Sequence, residues 1–146
     1  MSQFLSMFNT VGPEAFSQGV AQLAPYFASI DPHVSTLKPG FCEVHLKKQK
    51  KVENHLGTVH AIAMCNAAEL AGGMTTDVSI PAGSRWIPMG MTVKYLAKAK
   101  TDLRVICDAA DVDFSQPGEI IVHVDALDEA GTQVFCADIT MNVKAS

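Results

Sequence analysis

A long helical segment built from small residues is the feature that most restricts the fold of this chain. Residues 57–74 repeat apolar side chains at three- and four-residue spacing, which predicts a helix with one buried face. Most of these residues are alanine or glycine, so the helix has little bulk and suits close packing inside a curved sheet. The Gly72–Gly73 pair predicts its C-terminal end. The buried face comprises Val59, Ile62, Ala63, Ala67, Leu70, Ala71 and Met74.

Strands follow this helix. Residues 89–97, 103–109, 120–126 and 135–143 alternate apolar and polar side chains, and short joints with turn chemistry between them predict an antiparallel meander. Before the helix, residues 41–50 predict another strand, and residues 13–27 predict a first helix that Pro13 opens and Pro25 limits. This order predicts an α+β domain whose exposed sheet edges favour edge-to-edge dimerisation. The apolar stripe of the first helix is Phe16, Val20, Leu23 and Phe27.

Composition limits the classes of function. The 146 residues are 48% apolar and 18% charged, with a net charge of −4, which is typical of one globular domain over residues 1–146 and excludes intrinsic disorder. The acidic balance argues against nucleic-acid binding, and no apolar run of about 18 residues predicts a membrane span. The start of the chain lacks the charge of a signal peptide, and four scattered cysteines predict reduced thiols in a cytoplasmic protein. No histidine spacing indicates a metal site.

One acidic residue interrupts the apolar run of the central helix. Glu69 stands between Ala68 and Leu70. Burial of a carboxylate without a partner is costly and favours uptake of a proton, as a general base requires. Taken alone, Glu69 is explained more simply by a place on the solvent face or in a structural ion pair. Asn66 lies on roughly the same side and could orient this carboxylate, although a bond to backbone in a tight helix contact is slightly favoured.

His60 lies near the start of the same helix, where unpaired N–H groups and partial positive charge can hold an anion or polarise a carbonyl. Taken alone, it is better explained as a packed histidine bonded to a carbonyl, and Asn54 and Thr58 as loop and cap residues. His60 and Glu69 are nine positions apart, so they face opposite sides of the helix, about 13 Å apart along its axis. They can serve one site only across a two-fold axis, which predicts two equivalent sites at a dimer interface.

Two further groups are weaker candidates for ligand binding. The basic run at residues 47–51 could meet phosphates, but such a run is more often a solvated strand end. Arg85 and Trp86 could line a ligand channel, although a buried core tryptophan explains Trp86 equally well.

The spacing of these polar residues resembles the signature of the hotdog-fold thioesterases. In the PaaI-like type, an Asn, a Gly, a His and an acid nine positions after the His stand in register with Asn54, Gly57, His60 and Glu69. The order of elements and the strand at residues 91–96 are similar too, so the resemblance spans nearly the whole chain and is nearest to a little-characterised bacterial branch. It implies a hotdog fold, an antiparallel sheet wrapped around one long central helix and dimerising through a sheet edge.

The resemblance also implies an acyl-CoA thioesterase, with coenzyme A or a carrier protein as part of the substrate and no separate cofactor. The backbone N–H of Ala61 would polarise the thioester carbonyl, and Glu69 of the partner subunit would act as general base on water or as nucleophile. Asn54 would hold the acid or the water, and His60 would position the loop or the thioester. The assembly would be a homodimer or a dimer of dimers. The residues expected to contact substrate are Gly57, Thr58, Asn66 and Arg85.

Two positions depart from the family pattern. The two glycines that follow the histidine are replaced by Ala61 and Ile62, which narrows the approach to the backbone. The acid is Glu69 rather than an aspartate. The alternative is therefore a noncatalytic acyl-CoA or fatty-acyl binding module on the same fold. A hydratase or dehydratase is favoured less, because the register of the polar residues fits the thioesterase pattern better.

Overall fold

A six-stranded antiparallel sheet packs around one central helix in this computed structural model, which describes residues 2–146. The central helix, α2, contacts all six strands. This is the α+β arrangement that the sequence predicts. The helices are α1 (Gln3–Leu23) and α2 (Ala61–Ser79), with short 3-10 helices at Pro25–Ile30 and Lys50–Val52. The strands are β1 (His33–Lys38), β2 (Phe41–Leu46), β3 (Arg85–Tyr95), β4 (Leu103–Asp108), β5 (Gly118–Leu127) and β6 (Gln133–Lys144).

The strand order is β1-β2-β4-β5-β6-β3. The predicted meander is confirmed for β4, β5 and β6, which pair in succession. It is wrong for β3, which pairs with β6 instead of β4, with Trp86 opposite Val143 and Tyr95 opposite Phe135. Both edges of β4 are occupied, one by β2 and the other by β5, so β3 cannot pair with β4. It lies instead at the far side of the sheet, next to β6. The sheet therefore ends in two edge strands, β1 and β3.

Helix α2 begins and ends later than predicted. His60 is its N-cap, and the helix continues through Gly72 and Gly73 to Ser79, so the expected stop at the glycine pair is wrong. These glycines serve close packing instead. A Cβ at Gly72 would lie 3.0 Å from Cδ1 of Ile139, and one at Gly73 would lie 2.8 Å from the Trp86 ring. Glycine is about 1 kcal/mol less favourable than alanine inside a helix. The close contact of this glycine pair with the sheet offsets that cost.

Helix α1 has a break at Gly12, where φ is +83°, and Pro13 opens the second segment as predicted. Leu23 is 69% exposed, so its expected place on the buried stripe is wrong. The helix ends there, and Pro25 starts the first 3-10 helix in a new direction. The buried stripe of this segment is therefore carried by Phe16 and Val20.

The first segment of α1, residues 3–11, is not predicted by the sequence analysis. It folds back on the second segment, where Phe4 and Phe8 meet the ring of Phe16 edge-on, with centroids 6.3 and 5.3 Å away. The Ser2 hydroxyl accepts a hydrogen bond from the N–H of Leu5 and caps this segment.

Strand β2 ends at Leu46, earlier than the predicted residue 50. The N–H of Lys48 donates to the carboxylate of Asp102 at 2.8 Å instead of joining the sheet ladder. The following residues form the second 3-10 helix, which leads to the start of α2. No helix within residues 2–146 is long and apolar enough to span a bilayer.

Candidate active site

A tight loop that precedes α2 is held by Asn54. Its Oδ1 accepts from the N–H groups of Leu56 and Thr58 at 3.0 and 3.1 Å, and its Nδ2 donates to the Thr58 hydroxyl at 2.9 Å. Gly57 turns the chain with φ at +75°, a region that favours glycine. The structure therefore places Asn54, Gly57 and Thr58 together in one loop, with both ends of the Asn54 amide used to shape it.

His60 caps the start of α2. Its Nδ1 accepts from the N–H of Ile62 at 3.0 Å, while the ring is exposed. Its backbone N–H donates to the carbonyl of Val52 at 2.8 Å, and that of Val59 donates to Ala99, also at 2.8 Å. Because Nδ1 is the acceptor, the neutral ring carries its proton on Nε2. The Nε2–H of the His60 imidazole is thus a side-chain hydrogen-bond donor at the start of α2.

The first turn of α2 also has backbone donors without acceptors. The N–H of Ile62 is taken by the cap, and that of Met64 donates to the His60 carbonyl at 3.2 Å. The N–H groups of Ala61 and Ala63 have no acceptor within residues 2–146. Unpaired donors at the positive end of a helix can stabilise an oxyanion. The start of α2 therefore has the chemistry that a carbonyl-polarising site needs.

A shallow pocket of about 170 Å³ lies beside this helix start. Asn66 lies in its wall and is buried; its Nδ2 donates to the Tyr26 carbonyl at 3.3 Å and to the Ser29 hydroxyl at 3.1 Å. Its Oδ1 has no hydrogen-bond partner in the described part of the chain. Asn66 thus faces the first 3-10 helix and does not bond to Glu69. The pocket is lined by Tyr26, Ser29, Ile30, Lys51, Val52, Glu53, His60, Ile62, Ala63 and Asn66.

Glu69 faces a different element. It is half-buried and makes no ion pair within residues 2–146. One turn before it, the Cys65 thiol lies against the Tyr95 hydroxyl, and one turn after it, Gly73 lies under the Trp86 ring. Both aromatic residues belong to β3, so this face of α2 looks towards β3. Glu69 therefore does not meet the donors at the helix start within one chain.

Cys65 and Cys107 are poor candidates for a nucleophile. All four are free. Burial raises the pKa of the Cys65 thiol above its ordinary value, and burial raises the pKa of Cys107 to about 11. These thiols are protonated at neutral pH, and a thiol reacts as its thiolate. Glu69 thus remains the candidate reactive group on this face of α2.

The open edge of β3 is apolar. Ile87, Met89, Met91 and Tyr95 are 56, 58, 38 and 55% exposed. Among residues 2–146, β3 pairs only on its β6 side, so its other side has unpaired backbone groups. Proteins usually cover such an edge.

Three of the weaker candidates, Lys48, Lys51 and Trp86, have structural partners. Lys48 pairs with Glu53 at 2.9 Å and Lys51 with Asp31 at 2.6 Å, so part of the basic run forms surface ion pairs. The Trp86 indole donates to Asp77 at 2.9 Å. The sequence analysis missed Asp77, which lies two turns beyond Glu69. Asp77 is eight residues after Glu69, a spacing that places both on one face of a helix. The prediction that the helix ends at the glycine pair left Asp77 outside it.

Comparison with known proteins gives a family and a fold. The model of the family described as "Domain of unknown function (DUF4442)" matches residues 12–143. A crystal structure described only as a genomics target is 52% identical, covers 99% of this chain and 97% of its own, and has a TM-score of 0.91. No curated protein matches the chain.

Two more distant structures carry functional descriptions. A Pseudomonas aeruginosa protein of unknown function, described as a probable thioesterase, is 20% identical over 92% of this chain and 97% of that one, with a TM-score of 0.79. A thioesterase from Haemophilus influenzae is 11% identical over 88 and 90%, with a TM-score of 0.76. At these identities the likeness shows the shared hotdog fold.

Proposed function

This chain belongs to the DUF4442 family and has the hotdog fold, and from that premise we propose that it is a thioester hydrolase acting on acyl-CoA substrates. The observation that carries the proposal is that two separate parts of α2 present the groups that thioester hydrolysis needs. Its start offers the unpaired N–H of Ala61 and the exposed ring of His60. Another face offers the half-buried Glu69, which has no ion-pair partner in the described chain. Thioesterases of the same fold support this interpretation.

The proposed site is completed by a second copy of the chain. The start of α2 and the face that carries Glu69 point in different directions, so one chain cannot bring both to the same substrate. Pairing of two β3 edges about a two-fold axis covers the exposed Met89, Met91 and Tyr95. It also sets the two α2 helices antiparallel, which brings Glu69 of the partner subunit towards the start of α2. Two equivalent sites result.

The proposed reaction uses these groups in turn. The Ala61 N–H and the His60 Nε2–H donate to the thioester oxygen and stabilise the negative charge that develops there. Glu69 of the partner subunit removes a proton from water as the water oxygen attacks the carbonyl carbon. The C–S bond then breaks, and the thiolate takes that proton from the carboxyl group. A thiolate leaves easily, so one carboxylate and one oxyanion site are sufficient. In the alternative reaction, Glu69 attacks the carbonyl carbon directly and displaces the thiolate, and water then hydrolyses the mixed anhydride. This route uses the same geometry.

The remaining predicted residues have supporting roles in this proposal. Asn54 is a positioning residue, because its amide holds the loop that sets the direction of the α2 start. Gly57 permits the turn of that loop, and Thr58 completes its hydrogen bonds. Asn66 forms the wall of the pocket beside His60, where the substrate approaches.

A noncatalytic acyl-CoA binding module is the second candidate. The observation that favours it is the side chain of Ile62, which is 53% exposed at the helix start. Together with Ala61, it crowds the position where the related enzymes have two glycines. Such a module would keep the substrate pocket without turnover.

Thiol release from short, long and aromatic acyl-CoAs tests the proposal in wild type and in Glu69→Gln. Loss of a general base typically lowers the rate by about 10²–10⁴-fold, and the amide keeps the shape of the carboxyl group. Glu14→Gln is the matched control, because Glu14 is an exposed helical glutamate on α1. Full turnover in Glu69→Gln would refute the assigned base. Tight binding of acyl-CoA with no turnover in wild type would favour the binding module.

A further inference from the structure

Two aromatic side chains, Trp86 and Tyr95, lie near the two ends of β3 and on the side of the sheet that faces α2. Residues directly opposite each other in an antiparallel pair share one face of the sheet. Trp86 stands opposite Val143 and Tyr95 opposite Phe135, and both of these partners are buried in the core. The two rings therefore approach α2 from the same strand.

The two rings meet α2 on either side of Glu69. The Trp86 ring lies against Gly73, one turn after Glu69, and the Tyr95 hydroxyl lies against the Cys65 thiol, one turn before it. Residues four positions apart lie on one face of a helix. Glu69 therefore lies between two aromatic side chains, and each of them contacts the helix about 6 Å away along its axis.

Trp86 is held in place from two directions. Its indole N–H donates to the carboxylate of Asp77 at 2.9 Å, and a Cβ at Gly73 would lie 2.8 Å from its ring. A ring that is hydrogen-bonded at its polar atom and closely packed elsewhere has little freedom to move. Tyr95, by contrast, is 55% exposed. Trp86 is thus the fixed one of the two rings.

The part of β3 between the two rings leaves space beside Glu69. Met91 stands opposite the buried Ile139, so it faces α2, and yet it is 38% exposed. Val93, opposite the buried Ala137, faces the same way. Exposed side chains on the helix side of β3 indicate a groove between this strand and α2. The Glu69 groove is bounded by Glu69, Trp86, Met91, Val93 and Tyr95.

Arg85 lies outside the Glu69 groove. It stands opposite the exposed Lys144, on the other side of β3 from Trp86, because successive residues of a strand point to opposite faces. Its predicted contact with substrate stays a prediction. The groove is therefore walled by apolar and aromatic side chains, with Glu69 as the charged group among them.

We propose that Trp86 limits the length of the acyl group, so that the Glu69 groove selects acyl chains of about six carbons or fewer. Four residues of helix span about 6 Å, which is the length of an extended chain of about five carbon atoms. An acyl chain whose carbonyl lies at Glu69 meets the Trp86 ring after that distance. A longer chain has to displace a ring that Asp77 holds. This inference rests on the proposed function and names the substrate class of the same site.

Hydrolysis of butanoyl-, hexanoyl-, octanoyl- and dodecanoyl-CoA tests the limit through kcat/KM. In wild type, the value for dodecanoyl-CoA is expected to be at least about tenfold below that for hexanoyl-CoA. Trp86→Leu is expected to remove most of this difference by raising the value for the long chain. Ile87→Ala is the matched control, because Ile87 is the next residue of β3 and is exposed on the other side of the strand. Equal values across the wild-type series, or the same profile in Trp86→Leu, would overturn the limit.

Two Asp77 variants test the position of the ring without removing it, and they replace Trp86→Leu if that variant does not fold. Asp77→Ala removes the acceptor of the indole N–H and is expected to admit dodecanoyl-CoA about tenfold better than wild type does. Asp77→Asn keeps an acceptor oxygen and is expected to retain the wild-type limit. A chain-length profile in Asp77→Ala that equals that of wild type would refute the role of Asp77 as a positioning residue for Trp86.

A binding measurement separates this inference from the proposed function. Trp86 is the only tryptophan of the sequence, so its fluorescence reports on the Glu69 groove. In wild type, the thioether S-hexyl-CoA, which cannot be hydrolysed, is expected to bind about tenfold more tightly than S-dodecyl-CoA, and Asp77→Ala is expected to lose this preference. The same preference with no hydrolysis of any acyl-CoA would support the limit and refute the hydrolase. Hydrolysis of every chain length with equal efficiency would refute the limit and leave the hydrolase in place.

Discussion

Two histidines take roles that their immediate neighbours determine. Nδ1 of His60 accepts from a backbone N–H, which leaves Nε2 as a donor at the helix start. His123, on the outer face of the sheet, lies between the carboxylates of Asp138 and Asp125, at 2.8 Å from each. The hydrogen bond to Asp138, followed by that to Asp125, raises the pKa of His123 above its ordinary value of 6.5. The two imidazoles thus have different roles: His60 caps a helix through Nδ1, and His123 bridges two carboxylates.

The raised pKa of His123 predicts a pH-dependent contribution to stability. A group whose pKa is higher in the folded state stabilises the protein fully below its unfolded pKa, and this contribution is lost as the pH rises through the folded value. The difference in unfolding free energy between wild type and His123→Gln is therefore expected to shrink from pH 6 to pH 9. Urea unfolding at several pH values measures it. A difference that grows with pH would contradict the assigned ion pairs.

Helix α2 depends on close contact between its glycine pair and the sheet. The helix crosses below β3, β5 and β6, where a Cβ at Gly72 or Gly73 would meet side chains of the strands. Small residues at these positions let the helix lie deep in the sheet. The same contact keeps Trp86 and Asp77 in the stripe that contains Glu69, so packing of this element positions the proposed catalytic face.

Gly73→Ala is expected to lower the unfolding free energy by about 1–3 kcal/mol, because its Cβ would lie 2.8 Å from the Trp86 ring. Gly19→Ala on α1 is the matched control with the opposite sign. Its Cβ would meet only the flexible end of Met7 at 3.7 Å, so helix propensity is expected to stabilise it by about 1 kcal/mol. Urea unfolding compares both variants. A stabilising Gly73→Ala would show that Trp86 can move aside freely.

The whole molecule presents the two separate parts of the proposed site and an exposed sheet edge. The donors at the start of α2 face the 3-10 helices, Glu69 faces β3, and the apolar side chains of β3 are exposed. The proposed two-fold assembly through β3 would bring the two parts together and cover the exposed edge. The proposed catalysis therefore requires two subunits, and a subunit-mixing experiment tests this requirement.

Mixing Glu69→Gln chains with His60→Ala chains is expected to restore activity that neither variant has alone. Random exchange makes half of the dimers mixed, and each mixed dimer has one intact site of two, so about a quarter of wild-type activity is expected. Thiol release after exchange measures it, and mass analysis of tagged chains verifies the exchange. No activity above that of the parents despite complete exchange would refute a site shared between subunits.

The sequence by itself determined the type of the central helix and of the strands that follow it, and the order of the candidate site residues. Apolar periodicity and the spacing of Asn54, Gly57, His60 and Glu69 depend on neighbours a few residues apart, and these neighbours are visible in the chain. The tertiary structure alone decided that β3 joins β6, that the Gly72–Gly73 pair lies inside the helix, and that Lys144 stands beside Arg85. These features depend on contacts between residues far apart in the chain, where local pattern carries no information. Burial against the sheet outweighed the local preference of glycine to end a helix.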